Sequence, residues 1–397
     1  MSNLKENLIN KEENGMDFKF TEEQEILKKS VRNFMDKECP REYVRELDEK
    51  EEFPFELYKK MAKLGWYGLP FPEEYGGSGC GPLDFIMVGE ELCRFSYEIG
   101  AGYGVPIFNA LTLLHHGSEE QKNRYIPKVV NGEMMWSIAL TEPNAGSDVA
   151  SLVTSAVPEG DGFVINGQKV FITGADVANI MTMAVRTDKD LPRHKGISML
   201  LVDPKSPGID IRVIKTLGRK IIHATELFLE DVRVPEGNLI GELNGGWEVL
   251  MSGLELERLF ACAGYVGNAQ TVVDDALDHA KQRVQFGRPI GTFQAIGHML
   301  ADMQTEVDAA RLLTYRAAWM VEQGIPCIRE VSMAKLFGSE SLARLTNQGM
   351  QIMGGYGYSM EYDMQRYFRD ARIITVSAGS SQMQRTIIAR QMGLKVV

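Results

Sequence analysis

Trp136-Ser-Ile-Ala-Leu-Thr-Glu-Pro-Asn-Ala-Gly-Ser-Asp148 is the stretch of this sequence that says most about its fold. It begins as a short apolar strand and ends in a polar turn that Pro143 and Gly146 favour. Thr141 and Ser147 add hydroxyl groups on either side of that turn. Turned backbone with free N–H groups forms a cradle for anions. The stretch therefore predicts a phosphate-binding turn, although an ordinary polar turn before a β-hairpin has the same local pattern.

Phe171-Ile-Thr-Gly174 follows further along the chain and favours the phosphate-binding turn over the ordinary polar turn. Phe171 offers a flat apolar ring, and Thr173 places a hydroxyl beside it. An aromatic face with hydrogen-bonding groups at its edge suits a planar heterocycle, and the anion cradle suits a pyrophosphate. Together the two segments predict a site for a flavin nucleotide.

Composition limits the other possibilities. The chain has 397 residues, 44% hydrophobic and 24% charged, which is typical of a globular protein with two or three domains. We find no apolar run long enough to span a membrane, so no membrane segment is expected. The formal net charge of −11 disfavours nucleic acids and anionic membranes as partners.

The cysteine and N-terminal patterns bear on metal binding and location. The five cysteines are scattered and never form a Cys-x-x-Cys pair, which predicts no metal site and a reducing compartment. Residues 1–15 are polar and contain neither a signal-peptide core nor an Arg. They are predicted to be a disordered extension of a cytoplasmic protein.

Hydrophobic periodicity divides the rest of the chain into three parts. Residues 16–134 have helical spacing, starting with a capping box from Thr21 to Gln24. Residues 135–244 read as strands, with Asn166-Gly167 as a two-residue hairpin signal. Residues 245–397 return to long helices. The prediction is a mainly α protein: an N-terminal helical domain, a small middle β domain (barrel or sandwich) and a C-terminal four-helix bundle.

Five motifs, in this order, resemble those of the acyl-CoA dehydrogenases. The resemblance extends from about residue 16 to the C-terminus, and its motifs are Thr141–Asp148, Phe171–Thr173, Arg283–Gly287, Gln351–Gly355 and Gly379–Gln382. It implies bound FAD and α,β-dehydrogenation of an acyl-CoA thioester in fatty acid or amino acid catabolism. It also implies a homotetramer that passes electrons to an electron-transferring flavoprotein.

The resemblance implies roles for individual residues. Thr141 and Thr173 would bond the isoalloxazine, and Phe171, where many members carry Trp, would pack on its ring. The further residues expected at the FAD of the same subunit are Ile138, Leu140, Gly146, Ser147, Ile172, Ser380 and Gln382. Those expected at the FAD of a neighbouring subunit are Arg283, Phe286, Gln294, Gln351, Gly354 and Gly355. Those expected to contact the substrate are Ser147, Glu255, Arg258, Ala378 and Gly379.

The sequence departs from the family where its catalytic base usually lies. Most members carry a carboxylate immediately before the glycine that is Gly379 here, and this chain has Ala378. The isovaleryl-CoA branch resembles it in having Ala-Gly in this loop and a glutamate in an earlier helix, which is Glu257 here. Ala261 and Gly264 follow on the same helical face and would leave room for a flat ligand. Glu257 is therefore predicted to be the base, although most glutamates at such positions are exposed helix residues.

Several alternatives remain open at this point. The aromatic and acidic residues early in the chain belong either to an acyl pocket or to the core; they are Tyr97, Glu98, Tyr103 and Phe108. The substrate is expected to be a short branched, cyclic or aryl-substituted acyl-CoA. An enoyl-CoA reductase running the reverse reaction, an oxidase and a non-catalytic FAD-fold subunit are the competing functions.

Overall fold

A computed structural model describes residues 19–396, and the predicted extension of residues 1–15 lies outside them. In the first part of the chain the helices are α1 (Glu22–Glu38), α2 (Arg41–Lys50), α3 (Phe55–Lys63), α4 (Pro82–Phe95), α5 (Tyr97–His116) and α6 (Glu119–Val130). The capping box is confirmed: the Thr21 hydroxyl accepts from Gln24 N–H and the Gln24 side chain accepts from Thr21 N–H. Two reciprocal bonds satisfy backbone donors that the first turn of a helix leaves free.

The middle of the chain forms an eight-stranded sheet. Its strands are β1 (Trp136–Ala139), β2 (Ser155–Glu159), β3 (Gly162–Thr173), β4 (Ile180–Arg186), β5 (Ile197–Val202), β6 (Ile209–Ile214), β7 (Ala224–Pro235) and β8 (Leu239–Ile240). The order is β6-β7-β3-β2-β4-β5-β8, with β1 parallel to β4. Strand β4 is buried along nearly its whole length, which suits a central position.

The predicted hairpin at Asn166-Gly167 is wrong. Strand β3 runs through both residues, because it pairs with β2 on one side and with β7 on the other. The two residues instead mark a register shift, and a Cβ on Gly167 would come within 2.7 Å of the Thr154 hydroxyl. The turn lies earlier, at Gly160 and Asp161 between β2 and β3. Pairing on both edges has overridden the local turn preference.

The last part of the chain is helical again. It contains α7 (Gly246–Gln282), a small hairpin of β9 (Val284–Gln285) and β10 (Arg288–Pro289), α8 (Gln294–Glu322), α9 (Ile328–Met353), α10 (Gly355–Tyr358), α11 (Met364–Ala371) and α12 (Ser381–Gln391). Helix α7 is buried along most of its length, because it packs against α4 and α5 on one side and α8 and α9 on the other. It therefore links the first helical region to the last. No helix in residues 19–396 is long and apolar enough to cross a membrane.

Glu98 lies where the three regions meet. Its Oε2 accepts from the N–H groups of Ile221 (2.8 Å) and Ile222 (2.9 Å), while its buried Oε1 has no partner. Asp370 on α11 accepts from Arg219 N–H of the same segment at 2.8 Å. Burial, together with the charge of Asp370, raises the pKa of Glu98 to about 8. Glu98 is thus a structural residue of the junction.

This carboxyl group gives a first prediction. A glutamate in the unfolded chain ionises near pH 4.5, so the folded state holds the extra proton between that pH and about 8. The free energy of unfolding should fall as the pH rises across this interval and level off above it. In Glu98→Gln that contribution should disappear, leaving a pH dependence flatter by about 1 kcal/mol or more. Urea unfolding of both proteins at pH 6 and pH 8.5 measures the difference; parallel pH dependences would contradict it.

Candidate active site

The turn after β1 is closed and leaves its next amides free. Glu142 and Ala145 exchange two backbone hydrogen bonds of 3.1 Å, which fixes the turn between them. The N–H groups of Gly146 and Ser147 donate to no other residue within 19–396, and both residues are exposed. The predicted anion cradle is therefore geometrically available. Of the preceding residues, Ile138 and Leu140 are half-buried at the start of this turn.

Phe171 is presented by a strained backbone. Its φ of 57° lies in the left-handed region, where a bulky residue is uncommon, and its side chain is 63% exposed. The β3–β7 register shifts between Lys169 and Ile172, and this irregularity turns the Phe171 ring outward. The side chain of Ile172 lies in the sheet core, so only its backbone is available to a ligand. An exposed, fixed aromatic face is what a flavin ring would stack on.

The two predicted threonines are also free to bind. Neither the Thr141 nor the Thr173 hydroxyl bonds to any other part of the described chain, while both backbone carbonyls are held. Val170 N–H donates to Thr141 O at 2.9 Å, and the Ser137 hydroxyl donates to Thr173 O at 2.7 Å. The hydroxyls are therefore on fixed backbone with open hydrogen-bonding capacity. The residues of this region fit a flavin cofactor.

A buried ion pair supports this region, and the sequence reasoning missed it. The Lys169 ammonium donates to Glu142 Oε1 (2.9 Å) and to the Leu140 carbonyl (3.1 Å). Glu142 also accepts from the N–H groups of Val153 (2.7 Å) and Thr154 (2.9 Å). Burial lowers the pKa of Lys169 to about 8. The signal was present in the sequence, because Lys169 has the same strand parity as the inward-facing Ile165.

The loop before α12 has an unusual backbone at Ala378 and Gly379. Both residues have positive φ values, 52° and 81°. Their carbonyls are held from three directions: Arg258 donates to Ala378 O at 3.4 Å, Gln384 to both carbonyls, and Lys335 to Gly379 O at 2.7 Å. Their own N–H groups donate to nothing between residues 19 and 396. Two free amides on a fixed loop are the ordinary components of an oxyanion-binding site.

Glu257 lies on α7 beside that loop. It is half-buried, and within the described residues its carboxylate accepts no hydrogen bond and forms no ion pair. Burial raises its pKa, and the positive charges of Arg258 and Lys335 only partly oppose this. The alternative interpretation, an exposed helix glutamate, is therefore wrong. An unpaired, partly desolvated carboxylate is suited to accept a proton.

The neighbours of Glu257 differ from expectation at one point. A Cβ at Gly264 would meet the Tyr97 ring at 2.9 Å, so the predicted open space there is filled. Tyr97 in turn stacks on Tyr265 with ring centroids 5.7 Å apart. The Tyr103 hydroxyl donates to the Trp66 carbonyl and its ring is fully buried, so Tyr103 belongs to the core. The face of α7 that carries Glu257 is thus closed by aromatic residues two turns away.

The other predicted substrate residues lie close by. Arg258 is nearly buried and bonded to the Ala378 loop, so its guanidinium supports that loop in this structure. Glu255 is half-buried and lies 3.7 Å from the Cys327 thiol. Ser380 caps α12 by accepting from Met383 N–H, which leaves the exposed Gln382 in the first turn.

Some of the residues expected at the FAD of a neighbouring subunit also lie close together. Arg283, Gly354 and Gly355 line one pocket of about 580 Å³, which also contains His279 and Tyr356. No residue of the eight-stranded sheet lines this pocket in the described structure. Three further members of the set are exposed rather than in the pocket lining: Phe286, Gln294 and Gln351.

Comparison with known proteins agrees with this geometry. Models of the N-terminal, middle and C-terminal domains of acyl-CoA dehydrogenases match residues 21–133, 137–232 and 244–393. A probable acyl-CoA dehydrogenase, YngJ of Bacillus subtilis, is 39% identical over 95% of this chain and all of its own length. The CarC subunit of a caffeyl-CoA reductase–Etf complex from Acetobacterium woodii is 37% identical over 93% of this chain and 98% of its own.

A solved structure extends the comparison to three dimensions. Butyryl-CoA dehydrogenase from Megasphaera elsdenii superposes with a TM-score of 0.92 and 33% identity, over 96% of this chain and all of that one. The three-part fold, the residues suited to a flavin and the relatives over nearly full length all agree. The chain belongs to the acyl-CoA dehydrogenase family of FAD-dependent oxidoreductases.

Proposed function

We propose that this protein removes the α-proton of a short acyl-CoA thioester with Glu257, in an FAD-dependent α,β-dehydrogenation. The proposal rests on an unpaired Glu257 carboxylate on α7, whose neighbour Arg258 bonds the Ala378 carbonyl of the loop that has two free N–H groups. Deprotonation next to a thioester builds negative charge on the thioester oxygen. A base and a pair of amide donors on neighbouring elements meet both requirements of that step.

We assign a role in this reaction to each of these residues. Glu257 receives the α-proton, and the amides of Ala378 and Gly379 stabilise the oxygen of the developing enolate. Bound FAD supplies the acceptor for the hydride that leaves the β-carbon. Thr141 and Thr173 would hold its ring edge, Phe171 would pack on the ring, and the Gly146–Ser147 amides would bind its phosphates. An electron-transferring flavoprotein is the proposed electron acceptor, and a homotetramer is the proposed assembly.

The shape of α7 supports a short acyl group. Gly264 lies seven residues beyond Glu257 on the same helical face, which is about 10 Å along the helix axis. Tyr97 occupies the space over Gly264. A chain that runs along this face from Glu257 would therefore meet an aromatic wall within about 10 Å. A short branched, cyclic or aryl-substituted acyl group fits this face better than a long linear chain.

The reverse reaction is the second candidate. The similarity to a caffeyl-CoA reductase subunit favours an enoyl-CoA reductase on the same scaffold. In that direction protonated Glu257 would return the proton to the α-carbon. The residues required are the same, so the two functions are separated by the electron carrier and not by the site.

The first experiment is anaerobic mixing of the FAD-bound protein with a panel of acyl-CoAs and their enoyl-CoA counterparts. We expect the flavin absorbance to bleach with short branched, cyclic or aryl-substituted acyl-CoAs and to change little with long linear ones. Bleaching only of the long-chain members would contradict the proposed substrate class. No bleaching with any member, together with reoxidation of chemically reduced enzyme by enoyl-CoAs, would favour the reductase.

The rate of bleaching should depend on pH through Glu257. Since burial raises the pKa of Glu257, the carboxylate form needed for proton removal is lost at a higher pH than for an exposed glutamate. Under substrate saturation the rate should therefore rise with pH to a plateau, with its midpoint at a higher pH than an exposed glutamate would give. Glu248→Gln, an exposed residue of the same helix, should keep this profile. A flat profile in the wild type would contradict the assignment of Glu257.

A further inference from the structure

Lys335 is a fully buried lysine beside the proposed site that the chemistry above does not use. It comes from the middle of α9, and its ammonium donates to the carbonyls of Ile374 (3.0 Å) and Gly379 (2.7 Å). These two carbonyls lie at either end of the loop that contains Ala378. A charged donor bonded to two backbone carbonyls is a strong and directional link. One side chain therefore ties both ends of this loop to the helical bundle.

The loop needs such a link, because its conformation is costly. Two consecutive residues with positive φ, one of them the alanine Ala378, persist only where surrounding contacts determine them. Lys335 and Gln384 hold the carbonyl of Gly379, and Gln384 and Arg258 hold that of Ala378. The amide of each peptide points opposite to its carbonyl. The N–H opposite the Ala378 carbonyl is that of Gly379, so fixing this carbonyl on the protein side leaves the Gly379 N–H on the other side. Lys335 holds the loop at Ile374 and at Gly379, and the backbone of Ala378 is fixed between these two points.

We propose that Lys335 is a positioning residue, which holds the Ala378–Gly379 loop so that its two N–H groups are presented to the thioester oxygen. The inference rests on the proposed function, since it assigns the loop amides to the substrate. Lys335 itself touches neither substrate nor cofactor in this proposal. It acts through the backbone of the loop.

The positive charge of Lys335 also favours negative charge on the thioester oxygen. Burial lowers its pKa to about 8, and at neutral pH most of the side chain is still protonated. The ionisable groups facing it are Glu257 and Arg258 on α7, Cys262 one turn further along and Glu340 on its own helix. A cation behind the loop strengthens the dipoles that face the substrate.

The test uses a ligand that ionises without being oxidised. A 3-oxoacyl-CoA has an acidic α-carbon, and its bound enolate on oxidised FAD is detectable as a long-wavelength charge-transfer band. The pH at which half of the bound ligand is ionised therefore reports enolate stabilisation at equilibrium. The reduction rate of the flavin by a substrate acyl-CoA is measured on the same holoenzyme.

In Lys335→Met we expect half-ionisation of the bound 3-oxoacyl-CoA to move up by about 1–2 pH units, as a 10- to 100-fold weaker stabilisation requires. The flavin-reduction rate should fall by a similar factor with KM nearly unchanged, because the loop amides act on charge that develops after binding. Thr346→Val is the matched control, since Thr346 is buried on the same helix and bonds only to its own helix at Ala343. It should leave both quantities unchanged.

Unchanged ionisation in Lys335→Met, whatever its melting temperature, would overturn the proposal and leave Lys335 a purely structural residue. If Lys335→Met does not fold with FAD, Gln384→Met tests the same link, because Gln384 bonds the same Gly379 carbonyl at 3.0 Å. A shift of the half-ionisation pH in the same direction supports the proposal, and the absence of any shift overturns it. The ionisation equilibrium does not require Glu257 to be the base, so an active Glu257→Gln would refute the proposed function separately.

Discussion

Replacing Glu257 with Gln should lower the rate of flavin reduction by about 10²- to 10⁴-fold, which is the range that a positioned general base contributes. The amide is nearly isosteric with the carboxylate and cannot accept the α-proton. Because Glu257 has no hydrogen bond or ion pair in the described structure, the substitution breaks neither; it removes only the attraction of the Arg258 and Lys335 charges. Relief of a partly buried charge should leave stability equal or slightly higher. The change is measured as the single-turnover rate of anaerobic bleaching with saturating acyl-CoA.

The Ala378 position offers a matched control for this experiment. In the double variant Glu257→Gln with Ala378→Glu, a carboxylate is returned to the loop where most family members carry it. Ala378 already has a φ of 52°, so the added side chain brings little new backbone strain. We expect the double variant to recover part of the lost rate, at least about tenfold if the loop carboxylate reaches the α-carbon. Undiminished bleaching in Glu257→Gln alone would show that another group is the base.

The order of the three regions was predictable because periodicity over long windows is a strong signal. Long helices were expected over residues 245–397, where α7, α8 and α9 lie, and the capping box of Thr21 was expected where it is found. The Asn166-Gly167 hairpin failed because a dipeptide preference is worth little against pairing on both edges of β3. The turn was decided by strands distant in sequence.

Some active-site residues could be identified from the sequence and others could not. Glu257 and the Ala378 loop were identified together only through the family resemblance, since 120 residues separate Arg258 from its partner Ala378. Nothing local in either segment indicates that they meet. Lys169 and Lys335 were missed because a lysine in an amphipathic pattern is ordinarily assigned to the surface. Lys335 bonds two backbone carbonyls, and Lys169 bonds one carbonyl and a glutamate 27 residues away; neither set of partners can be recognised from the sequence.

Breaking the buried ion pair of Lys169 and Glu142 should lower both the stability of the protein and its affinity for FAD. Lys169→Met removes the cation and leaves the Glu142 carboxylate buried with two N–H donors but no countercharge. Breaking one side of a buried pair typically costs about 3–5 kcal/mol. The free energy of unfolding of the FAD-free protein should fall by that order. Urea unfolding followed by circular dichroism measures it.

The affinity for FAD should also fall in Lys169→Met, because Lys169 holds the Leu140 carbonyl immediately before Thr141. Loosening that peptide frees the segment whose hydroxyl and amides are proposed to bind the cofactor. Fluorescence titration of the FAD-free protein should therefore give a higher Kd in Lys169→Met. The double variant with Glu142→Gln should regain part of the stability, since it removes the unpaired charge and keeps a hydrogen-bonding side chain.

The exposed pair of Arg233 and Glu159 in the same sheet provides the comparison. Arg233→Met breaks an ion pair in water and should change the free energy of unfolding by less than about 1 kcal/mol, with FAD affinity unaltered. If Lys169→Met behaved like Arg233→Met, the buried pair would be no more than incidental to the fold. If it lost stability but bound FAD with the wild-type Kd, the sheet would depend on Lys169 and the cofactor turn would not. The proposed link between them requires both losses together.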